Sequence, residues 1–196
     1  MKVIGITGGI GSGKSTISRI LEENFGAYII DTDSIAHKLM SNGYISYKLI
    51  LEYFGDEILK EDKEIDRGKL GRLVYGEKEK LIKLNSFTHP YVMDYVKELI
   101  EEHKDRHPII GVETALPIEA ELSSFCDEIW FVFTPMDLRS KRLKESRGYS
   151  QEKIEMILSK QLKDEEYEKI CTHIIRNDGN LEKIFDEIQV IVEKND

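Results

Sequence analysis

Five short apolar runs recur along the chain: Val3 to Ile6, Ala27 to Ile30, Ile109 to Val112, Glu128 to Phe133 and the briefer His173 to Arg176. Unbroken runs of this length suit strands buried on both faces of a sheet. Between and after them the period changes to that of a helix. Ile17, Ile20 and Leu21 share one face before Asn24 to Gly26 stop the first helix. Leu181, Ile184, Phe185, Ile188 and Val192 share one face of the last, after a turn at Asn177 to Asn180. Five strands alternating with helices predict an α/β fold with a parallel, doubly wound sheet. From about 34 to 107 the pattern is charged and helical, with Tyr44, Tyr47, Tyr53, Phe54, Tyr75 and Phe87 scattered through it and no strand. That is far longer than a crossover helix needs, so it predicts an inserted helical subdomain, by analogy the acceptor side of a cleft. His89-Pro90 interrupts its helical pattern, and a kink or helix start is expected there.

The 196 residues suit one domain, 1–196, carrying these appendages. A formal net charge of −9, with 40% hydrophobic and 33% charged residues, argues against general nucleic-acid binding. The charge reverses locally. Arg139, Lys141, Arg142, Lys144 and Arg147 stand against one acid, Glu145, within nine residues. Thr134 as N-cap and Pro135 at the first helical position would start that helix. Gly148 would break it, and Ser150 would cap a second helix running through Gln161. A solvated charged face is the plain alternative. The local reversal favours a basic helical lid, about 135–165, whose arginines close over phosphates.

Cys126 and Cys171 form no C-x-x-C pair, so neither a zinc site nor a disulfide framework is expected, only buried thiols in a reducing cytosol. No secretory signal follows Lys2, no stretch reaches membrane-spanning length, and no repeat is visible. The expectation is a cytoplasmic protein without nucleic-acid or membrane partners; the sequence does not fix the oligomeric state, and a monomer is favoured.

The chemistry begins where the first strand ends. From Gly8 the chain reads G-x-x-x-x-G-K-S, with glycines at 8, 9, 11 and 13, then Lys14, Ser15 and Thr16. This P-loop pattern lets backbone N–H groups turn inward on an anion, and the helix that follows adds its positive end. Lys14 can reach β- and γ-phosphates, and the Ser15 hydroxyl can ligate magnesium. The dinucleotide pattern G-x-G-x-x-G fails, because its sixth position from Gly9 is Lys14. Asp31-Thr32-Asp33 ends the second strand, where carboxylates lie beside the phosphate site of such a sheet. One could accept the proton of an attacking hydroxyl and either could hold magnesium through water, or Asp31 or Thr32 could simply cap a helix starting near Ser34. Glu113, at the end of the third strand, is a further candidate for orienting magnesium. Asp66-Arg67, Arg72, His89 and Glu119 complete the polar candidates. Arg72 reads more naturally as a wet helix face, and a lone histidine such as His89 is more often structural.

At these residues the chain resembles the dephospho-CoA kinase family, whose members phosphorylate the ribose 3′-hydroxyl of dephospho-coenzyme A with ATP and magnesium. The resemblance spans nearly the whole chain. Gly8 to Ser15 resembles that family's form of the P-loop, and Asp31-Thr32-Asp33 its aspartate-x-aspartate element. Ile65-Asp66-Arg67, Leu70, Val74, Leu84 and His89-Pro90 are similar in order and spacing to its acceptor-binding helices. Arg142, Arg147 and Gln161 match its lid, and Ile175, Asn177 and Gly179 its closing nucleotide-side loop. The resemblance implies a P-loop NTPase-type five-stranded sheet with an inserted helical subdomain and a lid. It implies Asp33 as base, with Lys14, Arg142 and Arg147 acting on the transferring group. Gly8, Gly9, Gly11, Ser12, Gly13, Lys14, Ser15, Thr16 and Asn177 would hold the nucleotide, and Asp33, Arg67, His89 and Glu119 the acceptor. Magnesium would sit on Ser15, with Asp31, Asp33 or Glu113 acting through water.

The chain departs from the family after the third strand. Where many members carry aspartate and then Pro-Leu-Leu-Phe-Glu, it has Glu113 and then Ala115-Leu116-Pro117-Ile118-Glu119. Ile157 stands where an arginine is frequent. Rival readings are a kinase for a nucleoside monophosphate or similar acceptor, and a nucleotide-gated switch. The absence of a guanine-reading Asn-Lys-x-Asp motif, with Asp33 and a basic lid present, counts against the switch.

Overall fold

In a computed structural model that describes residues 1–115, 121–159 and 161–194, the chain divides into two units, Met1–Ile30 with His103–Asp196, and Asp31–Glu102. The first unit is built on β1 (Lys2–Thr7), β2 (Tyr28–Asp31), β3 (Ile109–Glu113), β4 (Glu128–Phe133) and β5 (His173–Arg176). They form one five-stranded parallel sheet in the order β2-β3-β1-β4-β5. The central β1 pairs with β3, Ile6 opposite Glu113, and with β4, Thr7 opposite Phe131. The order reverses at β1: the chain leaves it toward β2 on one side and later returns on the other through β4 and β5. Ligands of doubly wound sheets bind at that switch point, beyond the carboxyl ends of the strands.

The strands form because both sheet faces are covered. Ile4, Ile6, Trp130, Val132 and Ile175 meet Ile17 and Leu21 of α1 (Lys14–Phe25), and Ile184 and Ile188 of the last helix (Leu181–Glu193), in one core. Each fully buried isoleucine or leucine there contributes about 1.5–3 kcal/mol. Gly26, in the left-handed region at φ 66°, closes α1 by donating its N–H to the Leu21 carbonyl.

Both cysteines are free and half-buried. The Cys126 sulfur packs against β1, 3.3 Å from where a Cβ on Gly5 would stand. Burial, with the Asp127 charge beside it, pushes that thiol up to about 12. The reactive thiolate is therefore scarce at pH 8. Cys126 should remain unalkylated by iodoacetamide in the native protein and react once the chain is unfolded, as mass spectrometry of the digested protein would read; ready labelling of the native form would contradict this packing.

The second unit is helical: α2 (Thr32–Leu39), α3 (Ile45–Phe54), α4 (Arg67–Val74) and most of α5 (Lys78–His103). Its core gathers Tyr47, Ile50, Phe54, Ile58, Ile65 and Leu70. Among its described residues the strand-like pairing is a single antiparallel bridge, Leu59 to Ile65, closed by the Tyr47 hydroxyl donating to the Lys63 carbonyl at 2.6 Å. Asp66 caps α4, its carboxylate accepting from the N–H groups of Gly68 and Lys69 at 2.9 and 3.0 Å.

The interruption expected at His89-Pro90 does not end the helix, since α5 runs through Pro90 for 26 residues. Thr88 lies buried before the proline, Val92, Met93 and Val96 after it, so one packed face spans the break. The Thr88 hydroxyl returns to the Leu84 and Asn85 carbonyls of the preceding turn.

Candidate functional site

The loop between β1 and α1 is shaped by what grips its carbonyls. Gly13, at φ 85° and ψ 36°, occupies the N-cap of α1, where a Cβ would overlap the Asn177 amide as well as strain the backbone. Gly9 has the same need for another reason, since a Cβ there would overlap the Arg139 guanidinium. The Ser12 carbonyl accepts from the Asn177 amide at 2.8 Å, the Thr134 hydroxyl at 2.8 Å and Arg142 at 3.4 Å. Arg142 also reaches the Gly11 carbonyl at 3.4 Å and the Asn177 Oδ1 at 3.1 Å. Lys14 donates across the loop to the Gly8 carbonyl at 3.0 Å. The carbonyls of Gly8, Gly11 and Ser12 are thus tied to neighbouring donors, while the Ile10 and Ser12 N–H groups donate to Gln161 and to the Gly9 carbonyl. The head of α1, a helix of 12 residues, adds its dipole there.

The side chains fit a phosphate-bound ligand. The hydroxyls of Thr7 and Ser12 are buried with no hydrogen-bond partner among the described residues. Ser15 is exposed in the first turn of α1, while Glu113 ends β3 and is oriented by the Ser18 hydroxyl, which donates to it at 2.7 Å. Among the described residues no cluster of three or more His, Cys, Asp or Glu could hold a metal by itself. One serine oxygen with a carboxylate nearby is what magnesium needs when substrate phosphates supply other ligands and waters the rest.

The basic stretch divides in two. α6 (Met136–Arg147) starts one residue later than expected, with Pro135 at the N-cap, because the Thr134 hydroxyl serves Ser12 and Asn177 instead. On α6, Arg139 is buried and Arg142 half-buried against the loop, whereas Lys141, Lys144 and Arg147 are exposed. Lys141 meets Glu145 at 4.0 Å on that wet side. Gly148, at φ 62°, ends α6, and Ser150 caps α7 (Gln151–Leu158). Gln161 lies beyond α7 rather than on it, and its side-chain oxygen accepts the Ile10 N–H at 3.0 Å. Thr134, Arg139 and Ser18 were not singled out as loop contacts by sequence. Arg139, Arg142 and Leu143 do stand at i, i+3 and i+4 of one helix face, a signal that could have marked the first.

In the second unit the two aspartates have different tasks. Asp31 caps α2, accepting from the Asp33 N–H at 3.0 Å and the Ser34 hydroxyl at 2.6 Å. Asp33 is exposed in the first turn of α2, which starts at Thr32, ahead of Ser34. Arg67 is exposed at the first position of α4, Arg72 is exposed in its last turn, and His89 is half-buried in α5. Glu119 lies outside the described residues.

A sequence profile of the family described as dephospho-CoA kinase matches residues 2–183. A dephospho-CoA kinase of Carboxydothermus hydrogenoformans is 40% identical over 195 residues, covering 99% of this chain and 94% of that protein. Among solved structures, one from Thermus thermophilus is similar at a TM-score of 0.82 and 28% identity, covering 98% of this chain and 97% of that one. The dephospho-CoA kinase of Campylobacter jejuni is similar at a TM-score of 0.63 and 28% identity, covering 98% and 96%.

Proposed function

The chain belongs to the dephospho-CoA kinase family, and on that premise we propose that it transfers the γ-phosphoryl group of ATP to the ribose 3′-hydroxyl of dephospho-CoA, giving coenzyme A and ADP as the last step of coenzyme A synthesis. The observation that carries the donor half is the loop at 8–13, with its carbonyls gripped from outside and Lys14 across its mouth. Among the described residues no helix is long and apolar enough to cross a membrane, and we assign the activity to the cytoplasm.

ATP supplies the phosphoryl group, and magnesium neutralises charge on its phosphates. The protein supplies placement. Gly8, Gly9, Gly11, Ser12, Gly13 and Thr16 cradle the donor phosphates with backbone and hydroxyl donors, and Lys14 adds a positive charge. The Ser15 hydroxyl would offer magnesium an oxygen, and Glu113, Asp31 or Asp33 would act on it through water. Asn177 and Arg142 keep the loop in that form, and Arg142 and Arg147 bring cationic charge to the transferring group. Asp33 accepts the proton of the acceptor hydroxyl as the new O–P bond forms. The helical insertion at about 34–107 receives dephospho-CoA, and Arg67, His89 and Glu119 contribute contacts to it.

The direct test is incubation with labelled ATP, magnesium and dephospho-CoA, followed by identification of the product. Label is expected in the 3′-phosphate of coenzyme A. Label released only as inorganic phosphate, or found only on a nucleoside monophosphate offered beside dephospho-CoA, would overturn the reading.

A further inference from the structure

Arg139 is a charged side chain only 4% exposed, one turn into a helix whose other cations mostly face water. Burying a guanidinium costs free energy unless its donors are met. Here each edge of the fork has a partner. Nε donates to the Ile10 carbonyl at 3.0 Å, Nη2 donates to the Gln161 side-chain oxygen at 2.9 Å, and Nη1 lies 3.7 Å from Asp164. The same Gln161 oxygen accepts the Ile10 N–H at 3.0 Å. Both backbone groups of Ile10, at the crest of the phosphate loop, are thereby held by two side chains that are also bonded to each other. Those side chains come from different places: Arg139 from the first turn of α6, Gln161 from beyond the end of α7, and Asp164 from the short helix that follows (Asp164–Glu168). They are the two stems of the basic hairpin. The guanidinium also fills the space over Gly9, so the backbone can approach it only where no Cβ intervenes.

We propose that Arg139, with Gln161 and Asp164, is a latch that fixes the crest of the phosphate loop to both stems of the hairpin, so that donor affinity depends on how the hairpin is seated. This rests on the assignment of residues 8–16 as the donor phosphate site. Arg139 is a positioning residue: it acts on the donor through the Ile10 peptide and through Gly9. A planar fork can bridge the Ile10 carbonyl, Gln161 and Asp164 together, whereas an ammonium is a point donor on a flexible stem.

The test is a double-mutant cycle between Arg139→Ala and Gln161→Met, the second nearly conserving volume while removing the shared acceptor. ADP binding is read by calorimetry without acceptor, KM and kcat are read for each substrate, and Tm reports folding. Loss of a hydrogen bond to a charged group predicts about 10- to 100-fold weaker ADP binding in each single variant, with a matching rise in the KM for ATP. The KM for dephospho-CoA should remain near that of the parent. The double variant should be little worse than either single one, since both break one unit. Arg139→Lys should fail to restore affinity.

Parental ADP affinity in a folded Gln161→Met variant would overturn the latch, as would additive losses, or full rescue by lysine. If Arg139→Ala does not fold, Gln161→Met and Arg139→Lys still decide the matter. Absence of dephospho-CoA phosphorylation by the parent protein, with ADP binding still weakened by these variants, would refute the acceptor assignment and leave the latch standing.

Discussion

Asp33→Asn should lower kcat with dephospho-CoA by about 10²- to 10⁴-fold, the usual contribution of a positioned general base, while leaving ADP affinity near that of the parent. The substitution suits the question because little else changes. Asparagine has the shape of aspartate, Asp33 is exposed, and the cap of α2 belongs to Asp31. The lost carboxylate charge near the helix N-terminus costs about 0.3–1 kcal/mol, too little to unfold a domain of ordinary stability at about 5–15 kcal/mol. A large fall in kcat with an almost unchanged Tm therefore reports chemistry. Asp31→Asn is the companion measurement: asparagine caps helices as well as aspartate does, so Tm should hold and turnover should fall much less. Near-normal turnover in Asp33→Asn would remove it as the base, and a larger loss in Asp31→Asn would exchange the two roles.

Lys14→Ala should reduce kcat/KM for ATP by about 10²- to 10³-fold, the range expected when one preorganised donor to developing charge is removed. Alanine is the best helix former, so the first turn of α1 is not weakened by it. The loop also retains the grips on Ser12 from Asn177, Thr134 and Arg142. The ammonium that bridges to the Gly8 carbonyl at 3.0 Å is lost, together with its charge at the mouth of the loop. Steady-state kinetics at varied ATP, with circular dichroism as the control for folding, separates the two. Unchanged kinetics would refute the donor site at residues 8–16.

Much of the fold was legible because its inner strands are buried on both faces. The runs Ile109 to Val112 and Glu128 to Phe133 have no polar alternation to blur them, and β3 and β4 stand where they do. The phosphate loop was legible because its glycine spacing is set by contacts that side chains would obstruct. What escaped depends on tertiary partners. Thr134 has the composition of an N-cap, but its hydroxyl is taken by a backbone carbonyl 122 residues away. Gln161 fits a helical pattern, but its side chain is engaged by Ile10 and Arg139, and α7 stops at Leu158. Arg139 reads in sequence as one more lid cation closing over phosphates, because charge along a sequence does not tell which member of a run is buried against the loop backbone. Of the kink or helix start that His89-Pro90 suggested, the helix start is overridden by the packed face of α5 on either side of Pro90. For Asp31 and Asp33 the sequence left capping and chemistry open, and the hydrogen bonds give the cap to Asp31.

The Ser12 carbonyl ties together pieces of chain that are remote in sequence. Its partners Thr134 and Asn177, 122 and 165 residues downstream, stand just past β4 and β5. Closing contacts of such separation is slow and entropically costly, and they form only when the strands that carry them have docked. The glycine-rich motif is thus a local word with a nonlocal grammar. A fragment containing β1, the loop and α1 would carry every letter of it and lack the clamp that gives the loop its shape. Competence to hold a nucleotide is a property of the completed sheet, acquired when β5, at its far edge from β2, takes its place.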